Sequence, residues 1–298
     1  MEKIFQKIDN FLQNKSNLKK IIVIYGPTAS GKTNLSIKIA KYINSEIIST
    51  DSRQIYKYMD IGTGKITEEE KSGIPHHMID IINPDTYFSV GDFCEKANKK
   101  IINIFDSGKI PILVGGTGLY IDSLIFDNFV SKAPRDENLR KILEEDRIKY
   151  GNEYLYKKLK EIDPKYASEL HPNNYLYVMR GIEVKTLTGI SKLDFVTEKK
   201  LKYDVLFINT FSGDREALYK RINERVALMF KNGLLEEFQN LLEMGYKKED
   251  FGLNSIGYRE LFDYKNGVLN LDETIALVQK NSRNYAKRQL TWMNRYEK

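Results

Sequence analysis

Residues 26–33 read Gly-Pro-Thr-Ala-Ser-Gly-Lys-Thr, a full match to GxxxxGK[ST]. Glycines at both ends of such a loop let the backbone curl so that successive N–H groups face one anion, at the positive end of the helix that follows. Within Gly26, Pro27, Thr28, Ala29, Ser30, Gly31, Lys32 and Thr33, the Lys32 ammonium can neutralise phosphate oxygens and the Thr33 hydroxyl can hold Mg²⁺. A phosphate-bearing ligand is expected here, an ATP-type nucleotide being the usual one. Nucleotide-hydrolysing proteins with this loop place an Asp at the end of a later apolar strand to organise metal and water. The candidate strand Pro111–Val114 runs instead into Gly115-Gly116-Thr117-Gly118, which disfavours a motor or switch. That second glycine-rich turn either adds phosphate contacts around Thr117 or is a plain strand–helix turn.

A carboxylate is available elsewhere. Asp51 ends the apolar stretch Glu46–Thr50, and in open parallel sheets the carboxyl ends of the strands line one crevice. There it can accept a proton from a nucleophile, sit on the metal, or merely cap a turn. Arg221 and Arg225 are four residues apart in a helical stretch, so both guanidiniums share one face. They either clamp a pyrophosphate or pair with Glu216 and Glu224 on a solvated helix. The tail from Arg283 to Lys298 mixes arginines and lysines with Tyr285, Trp292 and Tyr296, a pattern suited to a phosphate backbone plus stacked bases and equally to an ordinary basic amphipathic helix. His76 and His77 are adjacent, so their side chains diverge on a strand, and a structural or substrate-lining role fits better than a metal site.

These groups need a scaffold that brings loop ends together. Lys20–Tyr25, Glu46–Thr50, Ile110–Val114 and Tyr203–Asn209 are short β-branched apolar runs, as in strands buried on both faces of a parallel sheet. Helical periods fill Lys32–Ile43 and Ser89–Asp106, and Asp51–Pro84 reads as loop with little regular structure. The alternation predicts an α/β fold, a P-loop parallel-sheet core with crossover helices. Between Phe129 and Lys202 the chain turns charged and helical, which predicts a helical insertion domain over 129–202 within a core of 1–128 and 203–298. From Asp214 onward helices are expected, broken at Gly233, Gly245, 252–257 and Gly267.

Composition narrows the setting. The 298 residues carry 47 Lys+Arg against 41 Asp+Glu, a net charge of +6. The excess fits a polyanionic partner, and it fits equally a solvated surface in a chain rich in Ile, Lys, Asn and Tyr. No run approaches the roughly 18 apolar residues that cross a bilayer, so no membrane partner is expected. A single cysteine, Cys94, excludes a disulfide framework and a cysteine-based zinc site and fits a reducing cytoplasm.

Together the motifs closely resemble the bacterial tRNA dimethylallyltransferases. The matching stretches are GPTASGKT (26–33), DSRQIYKYMDIGTGK (51–65), PHHMIDI (75–81), GGTGLYI (115–121), RGIEV (180–184), RINERV (221–226), SIGYRE (255–260) and YAKRQLTWM (285–293). They follow the family's order over nearly the whole chain. The resemblance implies transfer of a dimethylallyl group from dimethylallyl diphosphate to the exocyclic amine of the adenosine 3′ of certain tRNA anticodons, with Mg²⁺ as cofactor and a monomeric enzyme. It implies Asp51 as general base, and Lys32, Thr33 with Mg²⁺, Thr117 and Arg225 as stabilisers of the departing pyrophosphate, with residues 26–33 and Arg221 lining it. Reaching the allyl carbon requires the adenosine to flip out of its stack into a channel between core and insertion. Contacts to the tRNA anticodon stem-loop are implied for Asp51, Ser52, Arg53, Gln54, Thr117, Arg140, Arg180, Asn254, Ser255, Ile256, Gly257, Tyr258, Arg259, Lys287, Arg288, Gln289 and Trp292. Two positions depart from the family pattern: Tyr177 and Asn294 stand where arginine is common. Other readings of the same motifs are prenyl transfer to free AMP or ADP, a P-loop kinase of a small metabolite, and a nucleotide-gated RNA-binding protein.

Overall fold

A computed structural model describes residues 1–127, 135–195 and 200–296. In chain order the elements are α1 (Glu2–Gln13), β1 (Lys20–Tyr25), α2 (Lys32–Tyr42), β2 (Ile47–Ser49), α3 (Glu68–Lys71), β3 (His76–His77), α4 (Val90–Asp106), β4 (Ile112–Gly115) and α5 (Gly118–Ile125). There follow α6 (Glu137–Tyr150), α7 (Asn152–Ile162), α8 (Pro164–Ala167) and α9 (Tyr175–Thr188). The last elements are β5 (Asp204–Asn209), α10 (Arg215–Lys231), α11 (Leu234–Glu243), α12 (Arg259–Lys265) and α13 (Leu271–Met293). The chain divides into two compact units, one made of Met1–Ile125 with Leu201–Lys298 and the other of Phe126–Lys200.

The first unit is built on a five-stranded parallel sheet in the order β3-β2-β4-β1-β5. Residues 21–24 of β1 are wholly buried, because helices cover both faces of a parallel sheet and leave no solvent side. Ile22 sits between Ile112 of β4 and Leu206 of β5, which aligns the strand ends after residues 25, 115 and 209 on one edge. Ile8, Ile22, Ile24, Ile39, Ile47 and Ile112 form one core cluster. A second cluster joins Ile55 and Met59 to Leu234, Phe238, Leu241, Tyr258 and Phe262. Each such side chain contributes roughly 1.5–3 kcal/mol by leaving water.

The stretch 51–84, expected to be loop, is more ordered than its composition implied. It carries α3, closed by a reciprocal cap in which the Thr67 hydroxyl accepts from the Glu70 amide while the Glu70 carboxylate accepts from the Thr67 amide. It also supplies the edge strand β3, registered Ile47↔His76. Both are too short for periodicity to register. His77 Nε2 lies 2.7 Å from the Glu46 carboxylate, and His76 Nδ1 lies 2.8 Å from the carbonyl of Ile74, so the two histidines fasten the sheet edge.

The second unit is helical. Leu143, Leu155, Leu159, Val178 and Ile182 from α6, α7 and α9 form its core. Glu183 is wholly buried within it and accepts bidentate hydrogen bonds from Arg140, both 2.7 Å, and another from Arg180. Phe129, where the helical insertion was expected to begin, lies outside the described residues.

Candidate active site

The loop 26–33 leaves β1 and enters α2 through Gly31, whose φ of +86° is open to glycine at little cost. Lys32 curls back over this loop and donates to the carbonyls of Gly26 and Pro27 at 2.9 and 2.7 Å. Burial lowers its pKa from 10.5 to about 8, with Asp51 opposing that shift and Arg225 adding to it. A cation held this way favours an anion that restores its charge balance. Ser30 Oγ is 2.6 Å from Thr210 Oγ1 at the end of β5, which pins the loop to the sheet.

Two arginines of α10 reach the same loop. Arg221 Nε donates to Ala29 O at 3.1 Å; Arg225 donates to Thr28 Oγ1 at 3.1 Å and to Gly64 O at 3.4 Å. The i,i+4 spacing therefore serves the loop, and in this arrangement the pairing with Glu216 and Glu224 is not used. The guanidinium of Arg225 leaves no room at Gly64, where a Cβ would sit 1.7 Å from its terminal nitrogen. Burial pushes the Arg225 pKa down, and Asp51 partly restores it.

A cavity of about 470 Å³ opens over the loop. Residues 28–33, Asp51 and Arg225 give its lining polar groups, and Ile222, Val226, Met229, Ile256 and Val278 give it apolar ones. Asp51 follows β2, and its Oδ1 accepts the Arg53 amide at 2.8 Å, an Asx turn that fixes the carboxylate's direction. Tyr285 of α13 completes the lining; burial, reinforced by Asp51, raises its phenol to about 12. Thr117 lies behind Ser52 and Tyr285: its Oγ1 accepts the Ser52 amide at 3.1 Å and its side chain hydrogen-bonds that of Tyr285. The hydroxyl thus supports the wall that carries Asp51.

The residues expected to touch RNA separate into groups. Ser52, Arg53, Gln54, Asn254, Ile256, Gly257, Arg259 and Arg288 line the cavity, and Lys287 is exposed on α13. Tyr258 and Gln289 are among the least accessible of the set. Tyr258 is fully buried and donates to Glu237 at 2.6 Å; Gln289 borders the cavity but is 5% exposed and bonded to two backbone groups. Ser255 also borders the cavity but is nearly buried, its hydroxyl given to Gly252 O. Trp292 packs on Gly118 and under the Arg295 guanidinium, 4.2 Å from its ring. Arg140 and Arg180 are engaged with Glu183 in the helical unit.

Glu237 and Tyr285 have structural consequences that spacing did not reveal. The Glu237 carboxylate accepts the amides of Asp60 and Ile61 at 2.8 Å, of Gly62 at 3.1 Å, and the Tyr258 hydroxyl. It thereby ties the cavity-lining segment 62–64 and the turn 254–259 to α11. A lone glutamate in a helix carries no sign of this, since its partners are amides far along the chain.

A family model described as IPP transferase matches residues 54–296. The chain belongs to the IPP transferase family. It is 50% identical over 281 residues, 94% of its length and 90% of the relative's, to a tRNA dimethylallyltransferase of Alkaliphilus oremlandii. A protein of the same name from Acetivibrio thermocellus is 49% identical over 282 residues, covering 94% of this chain and 90% of the other. Among solved structures, a tRNA isopentenylpyrophosphate transferase of Bacillus halodurans superposes with a TM-score of 0.66 at 43% identity, over 93% of this chain and 87% of that one. A eukaryotic dimethylallyltransferase acting on tRNA matches at 0.81 with 33% identity, over 92% and 70% of the two chains.

Proposed function

We propose that this family member transfers a dimethylallyl group from dimethylallyl diphosphate to the exocyclic amine of an adenosine beside a tRNA anticodon, releasing diphosphate. The observation that carries the reading is the cavity itself, whose lining combines an anion cradle and a carboxylate with apolar side chains. An allylic diphosphate needs both, charged groups for its phosphates and apolar surface for its hydrocarbon. In the reaction the amine nitrogen bonds to C1 of the allyl group as the C1–O bond breaks. Asp51 takes the proton that the amine loses. Lys32, Arg225 and the amides of the loop meet the negative charge that grows on the leaving group. Binding to the cradle and the apolar side chains holds C1 in place, so orientation supplies part of the rate.

No group of three or more His, Cys, Asp or Glu side chains among the described residues could hold a metal unaided. The donor set fits Mg²⁺ in another way. Thr33 lines the cavity beside Asp51, and Mg²⁺ takes few protein ligands, completing its shell with phosphate oxygens and water. Thr33 would hold it there, and the ion would supply further neutralisation of the diphosphate. In this reading the enzyme acts as a monomer, since one chain furnishes every group named, and its single cysteine fits a reducing cytoplasm. No helix among the described residues is long and apolar enough to cross a membrane.

Mass analysis of nucleosides from unmodified tRNA treated with the protein, dimethylallyl diphosphate and Mg²⁺ tests the proposal. A dimethylallyl adduct on adenosine is expected, and Asp51→Ala should lower its rate by roughly 10²–10⁴-fold. Unmodified nucleosides after full incubation would overturn the reading.

A further inference from the structure

Gln289 occupies an unusual position for a polar side chain. It comes from α13, is nearly wholly buried, and has both ends of its amide committed to backbone of two different loops. Its Oε1 accepts the Thr28 amide at 2.9 Å, and its Nε2 donates to Gly116 O at 3.0 Å. The fit is tight, since a Cβ on Gly116 would stand 2.1 Å from Nε2. Thr28 belongs to the anion cradle, and its hydroxyl is already held by Arg225. Gly116 precedes Thr117, whose amide donates to Thr50 O and whose hydroxyl accepts the Ser52 amide, one residue on either side of Asp51.

We infer that Gln289 is a positioning residue that sets the separation between the diphosphate cradle and the general base, and that it makes no contact with RNA. A primary amide is the right group for this task. It carries an acceptor oxygen and a donor NH₂ side by side on one planar frame, so it can bridge an N–H and a C=O at once. The clamp also fixes the Thr28 amide away from the ligand, which leaves the amides further along the loop to face the anion. α13 also brings Tyr285 and Arg288 to the same cavity. The inference rests on the proposed prenyl transfer for the identity of the base, but its first test does not.

The test measures binding of inorganic pyrophosphate with Mg²⁺, and separately of unmodified tRNA, to wild type, Gln289→Met, Gln289→Glu and Gly116→Ala. Methionine keeps the length and removes both hydrogen bonds; glutamate keeps the acceptor for Thr28 but turns a second oxygen toward Gly116 O. Gly116→Ala breaks the clamp from its other side. Each variant is expected to weaken pyrophosphate about tenfold, the loss that accompanies about 1.4 kcal/mol, with tRNA affinity unchanged. Gly116→Ala combined with Gln289→Met should add little to either alone. With dimethylallyl diphosphate and tRNA, kcat should fall along with the rise in KM, because the base is displaced as well. Folded variants that bind pyrophosphate like wild type and lose tRNA would overturn the inference and make Gln289 an RNA contact. Wild type that binds no pyrophosphate would instead sink the proposed reaction.

Discussion

Raising the pH through 8 should detach the anion from its cradle, and the size of the effect follows from Lys32. Its ammonium titrates at about 8 because burial penalises the charge. In the free protein about 90% of Lys32 is charged at pH 7 and about 10% at pH 9. If only the charged form binds tightly, pyrophosphate affinity falls about tenfold over that interval, about 1.4 kcal/mol. Calorimetric titration with pyrophosphate and excess Mg²⁺, from about pH 6.5 to 9.5, measures the slope. Pyrophosphate titrates in the same range, so Lys32→Arg, whose guanidinium stays charged throughout, supplies the reference profile. The difference between the two curves belongs to Lys32. Stability has the opposite slope. The unfolded chain binds the proton up to about 10.5 and the folded one only to about 8, so unfolding takes up a proton between those values and the bare fold gains stability as pH rises. Below pH 8 the buried ammonium costs about 3 kcal/mol, and Lys32→Met should melt above wild type at neutral pH while losing pyrophosphate binding. Parallel pyrophosphate profiles for wild type and Lys32→Arg would refute the reasoning.

Three further outcomes are expected. Arg225→Lys keeps a charge but cannot span Thr28 Oγ1 and Gly64 O together, so kcat for prenyl transfer should fall by roughly 10²-fold with the melting temperature nearly unchanged. Glu237→Gln puts an NH₂ where an oxygen accepts backbone amides; the urea midpoint should drop by the equivalent of about 1–3 kcal/mol, and Tyr258→Phe by less. Burial opposes the charge of Glu183, yet Arg140, Arg180 and the Asp136 amide outweigh it and hold its carboxyl at about 2. Its contribution is full above the unfolded value of 4.5 and is lost as pH falls toward 2, so hydrogen exchange in α6 and α9 should accelerate across that window, and much less so in Glu183→Gln.

The strands and the anion loop were legible because their signals are local. A β-branched run followed by GPTASGKT fixes a strand, a turn and a helix start within fifteen residues, and the shared edge of strand ends then places Asp51 near Lys32. Arg225 was legible as a candidate through its spacing, though only the structure decides between Glu224 and Thr28 as its partner. The edge strand β3 escaped because two residues carry no period, and its partner lies in β2 nearly thirty residues earlier. Glu237 escaped because a carboxylate that accepts backbone amides leaves no mark on the types of residue around it.

Gln289 shows why a basic, aromatic terminal helix is a poor guide to single contacts. Its neighbours Lys287 and Arg288 are exposed, while Tyr285 and Trp292, each about one turn away, are half-buried, so with Gln289 itself five motif residues occupy exposed, half-buried and buried positions. Helix geometry allows this: at about 100° per residue, two steps from Lys287 turn the chain by about 200° and bring Gln289 to the buried side. A stretch rich in RNA-compatible side chains therefore holds residues with opposite tasks. Those on the outer face can meet a polyanion, and those on the inner face must hold the loops that a diphosphate occupies. Net charge of +6 cannot distinguish them, because Lys32 and Arg225 count toward it while spending their charge inside the cavity. The separation of tasks is set by which hydrogen bonds each residue has made once the helix has packed, and for Gln289 the carbonyl oxygen and the NH₂ each have a backbone partner.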